Sequence, residues 1–293
     1  MTARTRGTLL LAVLALAWGS NFLWIKIALA GFDPVTLTFG RLALGALVLF
    51  AIVGARRLSL PRDAATWGHL TIAALLANAA PYLLFAVGET RVDSGIAGAL
   101  NATTPLWTLL LALALRAQNR PTVAQAAGFF LGFLGCLLIF QPWTTHGIDL
   151  AGALSCLAAA FSYAVSYLYI GRHLAPRTLS PVTLSACQLL AATGWLALAL
   201  PFGDVATTTV TAPAVAALLI LGVLGTGLAY IVNYALIRTD GAPQASLVSY
   251  LLPAISVVLG ALFLGEPLAG TLVGVIVILF GVALSRRRTR SAA

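Results

Sequence analysis

The sequence predicts an all-α integral membrane protein of ten transmembrane helices, arranged as two inverted five-helix repeats with both termini in the cytoplasm. Three observations predict it: a mean hydropathy of +1.00, a one-sided distribution of arginine, and a segment that occurs twice. Hydropathy decides the solvent. With 60% hydrophobic and 9% charged residues, the chain is far from a soluble domain, in which roughly a quarter of residues are charged.

A helix needs about 20 mostly apolar residues to cross ~30 Å of hydrocarbon. Ten runs qualify, at about 7 to 29, 34 to 54, 67 to 88, 93 to 115, 123 to 140, 147 to 171, 181 to 200, 213 to 236, 242 to 264 and 268 to 285. The loops between them are too short for a soluble domain. Span 1 follows Arg4 and Arg6 and passes Ala15-Leu16-Ala17, as a cleavable signal peptide would. It then runs on to Ala30, past the ~7–15 residues of a signal core, so it is read as a retained helix.

With the N-terminus inside, inner loops and tails hold Arg4, Arg6, Arg56, Arg57, Arg62, Arg116, Arg120, Arg172, Arg177, Arg238, Arg286, Arg287, Arg288 and Arg290. Outer loops hold Arg91 alone; Lys26 and Arg41 fall inside spans. This is the positive-inside pattern. The net charge of +9 therefore reports topology and not nucleic-acid binding, and the terminal RRRTR run is a stop signal at an anionic leaflet. Cys136, Cys156 and Cys187 all lie in spans without metal-ligand spacing. They are read as small apolar packers, and no metal, disulfide framework or cofactor is implied.

DPVTLTFGRLALGALVL (Asp33 to Leu49) and SPVTLSACQLLAATGWL (Ser180 to Leu196) share Pro-Val-Thr-Leu at an offset of 147, which sets Arg41 opposite Gln188. In spans 3 and 4 against 8 and 9 the offset is 148, pairing Tyr82 with Tyr230, Asn101 with Ser249 and Pro105 with Pro253. In spans 5 and 10 it is 146, where Arg120-Pro121, Gly128 and Gly135 match Glu266-Pro267, Gly274 and Gly281. The chain thus divides into repeats 1–146 and 147–293. Five is odd, so the second repeat enters the membrane from the opposite side. Inverted repeats of this kind let secondary transporters exchange inward-open and outward-open states.

The residues also carry a resemblance. AWGSNFLWIKIAL (Ala17 to Leu29), the span 2 segment, SGIAGALNATTPLWTLLLALAL (Ser94 to Leu115) and APQASLVSYLLPAISVVLGALFLGEPL (Ala242 to Leu268) resemble the EamA-type branch of the drug/metabolite transporter superfamily. The resemblance implies a multi-pass exporter or exchanger of amino acids, other small metabolites or drugs in the cytoplasmic membrane. It also implies a central cavity lined by spans 1, 3, 4, 6, 8 and 9. Two departures stand out. Span 5 opens Asn119-Arg120-Pro121 where the family often has an acid before the proline. Span 1 lacks the glutamate on which the small four-helix drug exporters of the superfamily rely, so their drug/proton exchange is not implied.

Helical spacing proposes the cavity residues. Asn78, Tyr82 and Phe85 share a face of span 3; Thr226, Tyr230 and Asn233, with Tyr234 beside them, occupy the partner positions of span 8. Span 4 offers Asn101, Thr104 and Thr108 with Trp107 adjoining, and span 9 offers Ser249 and Ser256 with Tyr250. Trp18 and Asn21 of span 1 and Tyr163 and Tyr167 of span 6 supply aromatic walls with few polar groups, the usual lining of a small-molecule site. The alternatives are back-bonding of Ser and Thr to carbonyls or neighbouring helices, interfacial placement of tyrosines and ordinary packing, which is the reading for Trp24 and Tyr169.

Arg41 lies seven residues beyond Pro34, about 10 Å into the span. It can snorkel, lock span 2 through Asp33 or a backbone carbonyl, or clamp a substrate carboxylate; the structural role is favoured, and Lys26 is read as snorkelling. Gln188 is its repeat partner. Pro105 and Pro253 are expected to kink spans 4 and 9, either as gating hinges or as static bends. Gly128, Gly132, Gly135, Gly274 and Gly281 allow close helix approach, within the chain or at a dimer contact. Glu89, Asp93 and Glu266 fall at span ends, and Glu266 beside Pro267 can cap span 10. His69, His146 and His173 also lie outside the centre. Proton-coupled carriers need an ionisable group within the membrane, so facilitated diffusion or exchange is expected, with coupling through Glu89 or Glu266 left open. No HExxH, paired acidic run or nucleophile with a base is present, so an enzyme is not expected. A channel would differ in showing flux linear in concentration. The expected partners are a small-molecule substrate and lipid, as a monomer or homodimer.

Overall fold

The computed structural model describes residues 3–89, 91–92, 94–117, 120–144, 149–202, 210–264 and 272–286. Helices account for nearly all of them. In order these are α1 (Ala3–Gly19), α2 (Asn21–Ala28), α3 (Pro34–Ala55), α4 (Ala64–Ala74), α5 (Ala80–Glu89), α6 (Ser94–Asn101), α7 (Thr104–Ala114), α8 (Val123–Phe140), α9 (Leu150–Tyr169), α10 (Pro181–Ala197), α11 (Ala212–Gly222), α12 (Ala229–Asp240), α13 (Ala242–Ser246), α14 (Val248–Leu264) and α15 (Leu272–Ser285). π-Helical turns join α4 to α5 (Leu75–Ala79), follow α9 (Ile170–Leu174) and join α11 to α12 (Val223–Leu228).

Among the described residues, seven helical runs are long and apolar enough to cross a bilayer: Thr5–Ile25, Val35–Ala55, Ala64–Phe85, Ile96–Ala114, Val123–Phe140, Leu150–Leu174 and Ala212–Asp240. α10 and α15 are apolar but shorter. Large apolar side chains such as Leu47, Phe130, Leu262, Ile276 and Phe280 are exposed. Lipid tails are as apolar as leucine, so in an integral membrane protein that exposure carries no cost.

The repeated segment has a local explanation. Asp33 caps α3 by accepting from the Val35 and Thr36 N–H groups at 3.0 and 3.2 Å, and Ser180 caps α10 by accepting from Thr183 at 3.0 Å. Pro34 and Pro181 follow in the first turn, where the absent N–H is not needed. Asp63 of α4, Thr211 of α11 and the Thr122–Gln125 capping box of α8 perform the same service.

The chain forms two compact units that do not coincide with the sequence halves: one comprises residues 1–80 and 169–241, the other 81–168 and 242–293. In the first, α3 packs on α10 and on the Val223–Leu228 turn, α1 on α12, α2 on α11, and α4 on α10. In the second, α8 and α15 lie against each other over their length, joined by α14, α6 and α7.

Three of the expected spans are interrupted. Span 1 is interrupted at Ser20, whose hydroxyl donates to the Ala17 carbonyl (3.0 Å). Span 4 is interrupted at Ala102–Thr103, in the turn just before Pro105, which has no N–H to donate to the Asn101 carbonyl and sits in the first turn of α7. Pro253 is inside α14 as expected, although the span itself is broken at Leu247. The glycine stripe makes close contacts within the chain, the packing read for it from sequence. A Cβ on Gly135 would stand 2.8 Å from the Gly274 carbonyl oxygen, and one on Gly274 would stand 2.7 Å from that of Gly135. Gly128 and Gly281 oppose each other in the same way.

Candidate functional site

The first unit contains a buried polar network at positions the repeat makes equivalent. Asn78 lies in the π-turn Leu75–Ala79 and Thr226 in the π-turn Val223–Leu228. The two turns start 148 residues apart, the offset already seen for spans 3 and 8. A π-turn inserts one residue and rotates the rest of the helix about its axis, and such turns recur at functional sites.

Each turn receives a side chain from the other half of the sequence. The Arg41 guanidinium donates through Nε to Thr226 Oγ1 at 3.0 Å, and Gln188 Nε2 donates to Asn78 Oδ1 at 3.0 Å. Arg41 is only 8% exposed. With its amide oriented to satisfy both groups, Asn21 accepts from Arg41 Nη2 at 3.1 Å and donates to the Ala17 carbonyl at 3.1 Å. Arg41 therefore points into the first unit, while Asp33 caps α3 through Oδ1.

The Gln188 side extends further. Tyr234 donates its hydroxyl to Gln188 Oε1, Asn78 Nδ2 donates to the Tyr230 oxygen, and Tyr230 donates to the Ala77 carbonyl (3.3 Å). Trp18 lies edge-on to the Tyr230 ring, with centroids 5.9 Å apart. Of the residues expected from sequence, Trp18, Asn78, Gln188, Tyr230 and Tyr234 thus form one cluster of the first unit, and Arg41 with Asn21 forms another. Asn233 is nearly buried, and its Oδ1 has no hydrogen-bond partner.

In the second unit, Tyr163 stacks on Phe85 at 6.2 Å and Trp107 meets Phe161 edge-on at 5.6 Å. Tyr167 and Ser249 are buried and Tyr82 is half-buried. Asn101 Oδ1, Trp107 Nε1 and the Tyr250 hydroxyl are enclosed without a hydrogen-bond partner. In a low-dielectric interior an unpaired polar group costs about 1–3 kcal/mol, so these atoms are where a polar ligand would gain most. Thr104 and Thr108 instead donate to the carbonyls of Ala160 (3.3 Å) and Thr104 (2.8 Å), the back-bonding alternative. Glu266, Asp93, His146 and the side chains of Lys26, Glu89 and Ser256 lie outside the described residues.

Two features of the first unit were not legible in the sequence. His69 Nδ1 and the Tyr169 hydroxyl are 2.7 Å apart, and His69 stacks on His173 with centroids 4.6 Å apart. Arg238, read as a topology charge, donates to the carbonyls of Ala175, Arg177 and Leu179, each at 2.7 Å, and so fixes the chain between α9 and α10. No spacing rule links residues so distant in the chain.

Known proteins are similar to this chain over nearly its whole length. YvbV of Bacillus subtilis (strain 168), named as an uncharacterized transporter, is 27% identical over 98% of this chain and 94% of its own length. A "Probable terminal-alkyne amino-acid exporter" of Streptantibioticus cattleyicolor is 29% identical over 95% of this chain and 93% of its own. One crystal structure superposes with a TM-score of 0.82 at 20% identity, covering 96% of both chains, which shows a shared fold. The model of the EamA-like transporter family matches residues 5–141 and again residues 150–287. The chain is an integral membrane protein of the EamA-like transporter family, within the drug/metabolite transporter superfamily.

Proposed function

We propose that this transporter exports or exchanges small metabolites, amino acids or related compounds, across the cytoplasmic membrane by alternating access. Ten crossings in two inverted repeats, with both termini in the cytoplasm, provide the two states. The observation that carries the reading is the crosswise pairing of Arg41 with Thr226 and of Gln188 with Asn78. Equivalent π-turns receive equivalent side chains, as a carrier with interchangeable halves requires.

The substrate meets Asn101, Trp107 and Tyr250, whose unpaired polar atoms offer one carbonyl acceptor, one N–H donor and one hydroxyl. That set suits a compound carrying both hydrogen-bond donors and acceptors beside an apolar side chain. The name of the Streptantibioticus cattleyicolor relative points the same way. Tyr82, Tyr163, Tyr167 and Ser249 complete the lining, while Arg41, Gln188, Tyr230 and Tyr234 brace the helices of the first unit.

The test compares metabolites outside cells overproducing the intact protein, Asn101→Ala or Tyr250→Phe, at matched membrane levels. Accumulation of an amino acid or close relative with the intact protein, reduced at least tenfold in both variants, is expected. Equal accumulation by all three overturns the assignment of these residues, and a set consisting only of foreign drugs overturns the metabolite reading.

A further inference from the structure

The first unit also carries a groove of about 320 Å³ that the transport reading leaves unused. One wall is the segment before α4, with Ser59, Arg62, Asp63 and Thr66; the other is the segment before α10, with Arg177 and Thr178. Its volume is at the lower end of small-ligand sites (~300–1,000 Å³). Both walls join membrane-crossing runs, Val35–Ala55 to Ala64–Phe85 on one side and the end of Leu150–Leu174 on the other. The groove therefore lies at the level of lipid headgroups.

Its charge is one-sided. Arg62 is exposed and Arg177 half-exposed in its lining, Arg56 and Arg57 are exposed on the chain leading to the first wall, and Arg172 is exposed on the π-turn Ile170–Leu174 that precedes the second. The one carboxylate, Asp63, is already engaged. It accepts from the Thr66 N–H at 2.7 Å and the Thr66 hydroxyl at 2.7–2.8 Å, and lies 3.4 Å from Arg177 Nη1.

The second wall is held in place. Arg177 donates through Nε to the His173 carbonyl (3.1 Å) and through Nη1 to Thr66 Oγ1 (2.6 Å). The three Arg238 bonds fix the backbone of Ala175, Arg177 and Leu179 behind it. Nη2 of Arg177 and the whole guanidinium of Arg62 have no hydrogen-bond partner among the described residues. Two guanidinium groups with spare donors, beside the Ser59 and Thr178 hydroxyls, match the oxygens of a phosphate.

We propose that this groove binds the phosphate of an anionic phospholipid headgroup. Basic residues at a membrane surface attract anionic lipid in general; the groove adds a defined place for one headgroup. The proposal does not depend on the transported compound.

The experiment reconstitutes the full chain in nanodiscs of phosphatidylglycerol and phosphatidylcholine and counts retained phosphatidylglycerol by native mass spectrometry. Arg62→Gln is the principal variant, because Arg62 makes no hydrogen bond or ion pair among the described residues. Arg120→Gln, an exposed arginine of the second unit, removes the same charge elsewhere. Retention falling roughly fivefold for Arg62→Gln, further for Arg62→Gln/Arg177→Gln, and unchanged for Arg120→Gln supports the site. A parallel arm measures thermal stability in detergent with inorganic phosphate alone. If phosphate stabilises the intact protein and not Arg62→Gln, while lipid retention is unaffected, the site stands and its ligand is a free phosphate. Equal losses for Arg62→Gln and Arg120→Gln, or no response in either arm, overturn the proposal.

Discussion

The α8–α15 seam of the second unit and the polar core of the first are two solutions to one problem. In lipid there is no hydrophobic force between helices, so association relies on close packing and on hydrogen bonds. The seam uses the first means: Gly128 and Gly135 meet Gly281 and Gly274 with backbone against backbone. The core uses the second, through Arg41–Thr226 and Tyr234–Gln188–Asn78–Tyr230. Glycine contact has no tolerance for volume, whereas a hydrogen bond between long side chains can readjust.

The largest effect is accordingly expected at the seam. Gly281→Leu places a side chain against Gly128 and Gly132 of α8. It should destabilise by about 3 kcal/mol or more, read as loss of monodisperse protein on size exclusion after mild heating in detergent. Retained stability would show that the seam readjusts and would erase the contrast.

Gln188→Leu is expected to be next, at about 2 kcal/mol, because it leaves both the Asn78 carbonyl and the Tyr234 hydroxyl unpaired in the interior. Thr226→Val removes one acceptor from a buried guanidinium and should cost about 1.5 kcal/mol. Arg41→Gln sharpens the comparison differently, by giving the charged pair the side chain of its neutral counterpart. It should melt within about 1 kcal/mol of the intact protein, measured by thermal unfolding in the same detergent. A loss as large as that of Gly281→Leu would mean that the charge itself holds the unit together.

The smallest effect concerns pH. Hydrogen bonds from the Thr66 hydroxyl and N–H, with Arg177 nearby, hold the Asp63 carboxyl below its usual range. A depressed folded-state value means that its contribution is complete above the ordinary carboxylate range and is lost as pH falls through the folded value. Asp63→Asn should therefore lower stability slightly at pH 7 and make no difference in strong acid. An equal difference at both pH values would contradict that role for the carboxylate.

Much of the fold was legible in the sequence, for reasons that differ by feature. Apolar runs reveal membrane helices because the bilayer imposes a length and hydropathy rule on every segment that crosses it. Asp33-Pro34 and Ser180-Pro181 were readable as helix starts because capping is local. The break at Ala102–Thr103 was foreshadowed by Pro105, whereas those at Ser20 and Leu247 had no such local signal. Arg41 was flagged by its depth, but its partner Thr226 lies 185 residues away. Periodicity set Asn78 and Tyr230 at equivalent offsets of spans 3 and 8. It could not say that they would bond each other.

The central claim is that the molecule is a carrier whose halves exchange states, and counterflow tests it most directly. Purified protein in liposomes would be loaded with the amino acid or metabolite identified outside overproducing cells, then offered the labelled compound externally. The account predicts saturable uptake, accelerated severalfold by internal substrate and reduced by Tyr250→Phe. Flux that rises linearly with concentration and ignores internal substrate would contradict it and point to a channel.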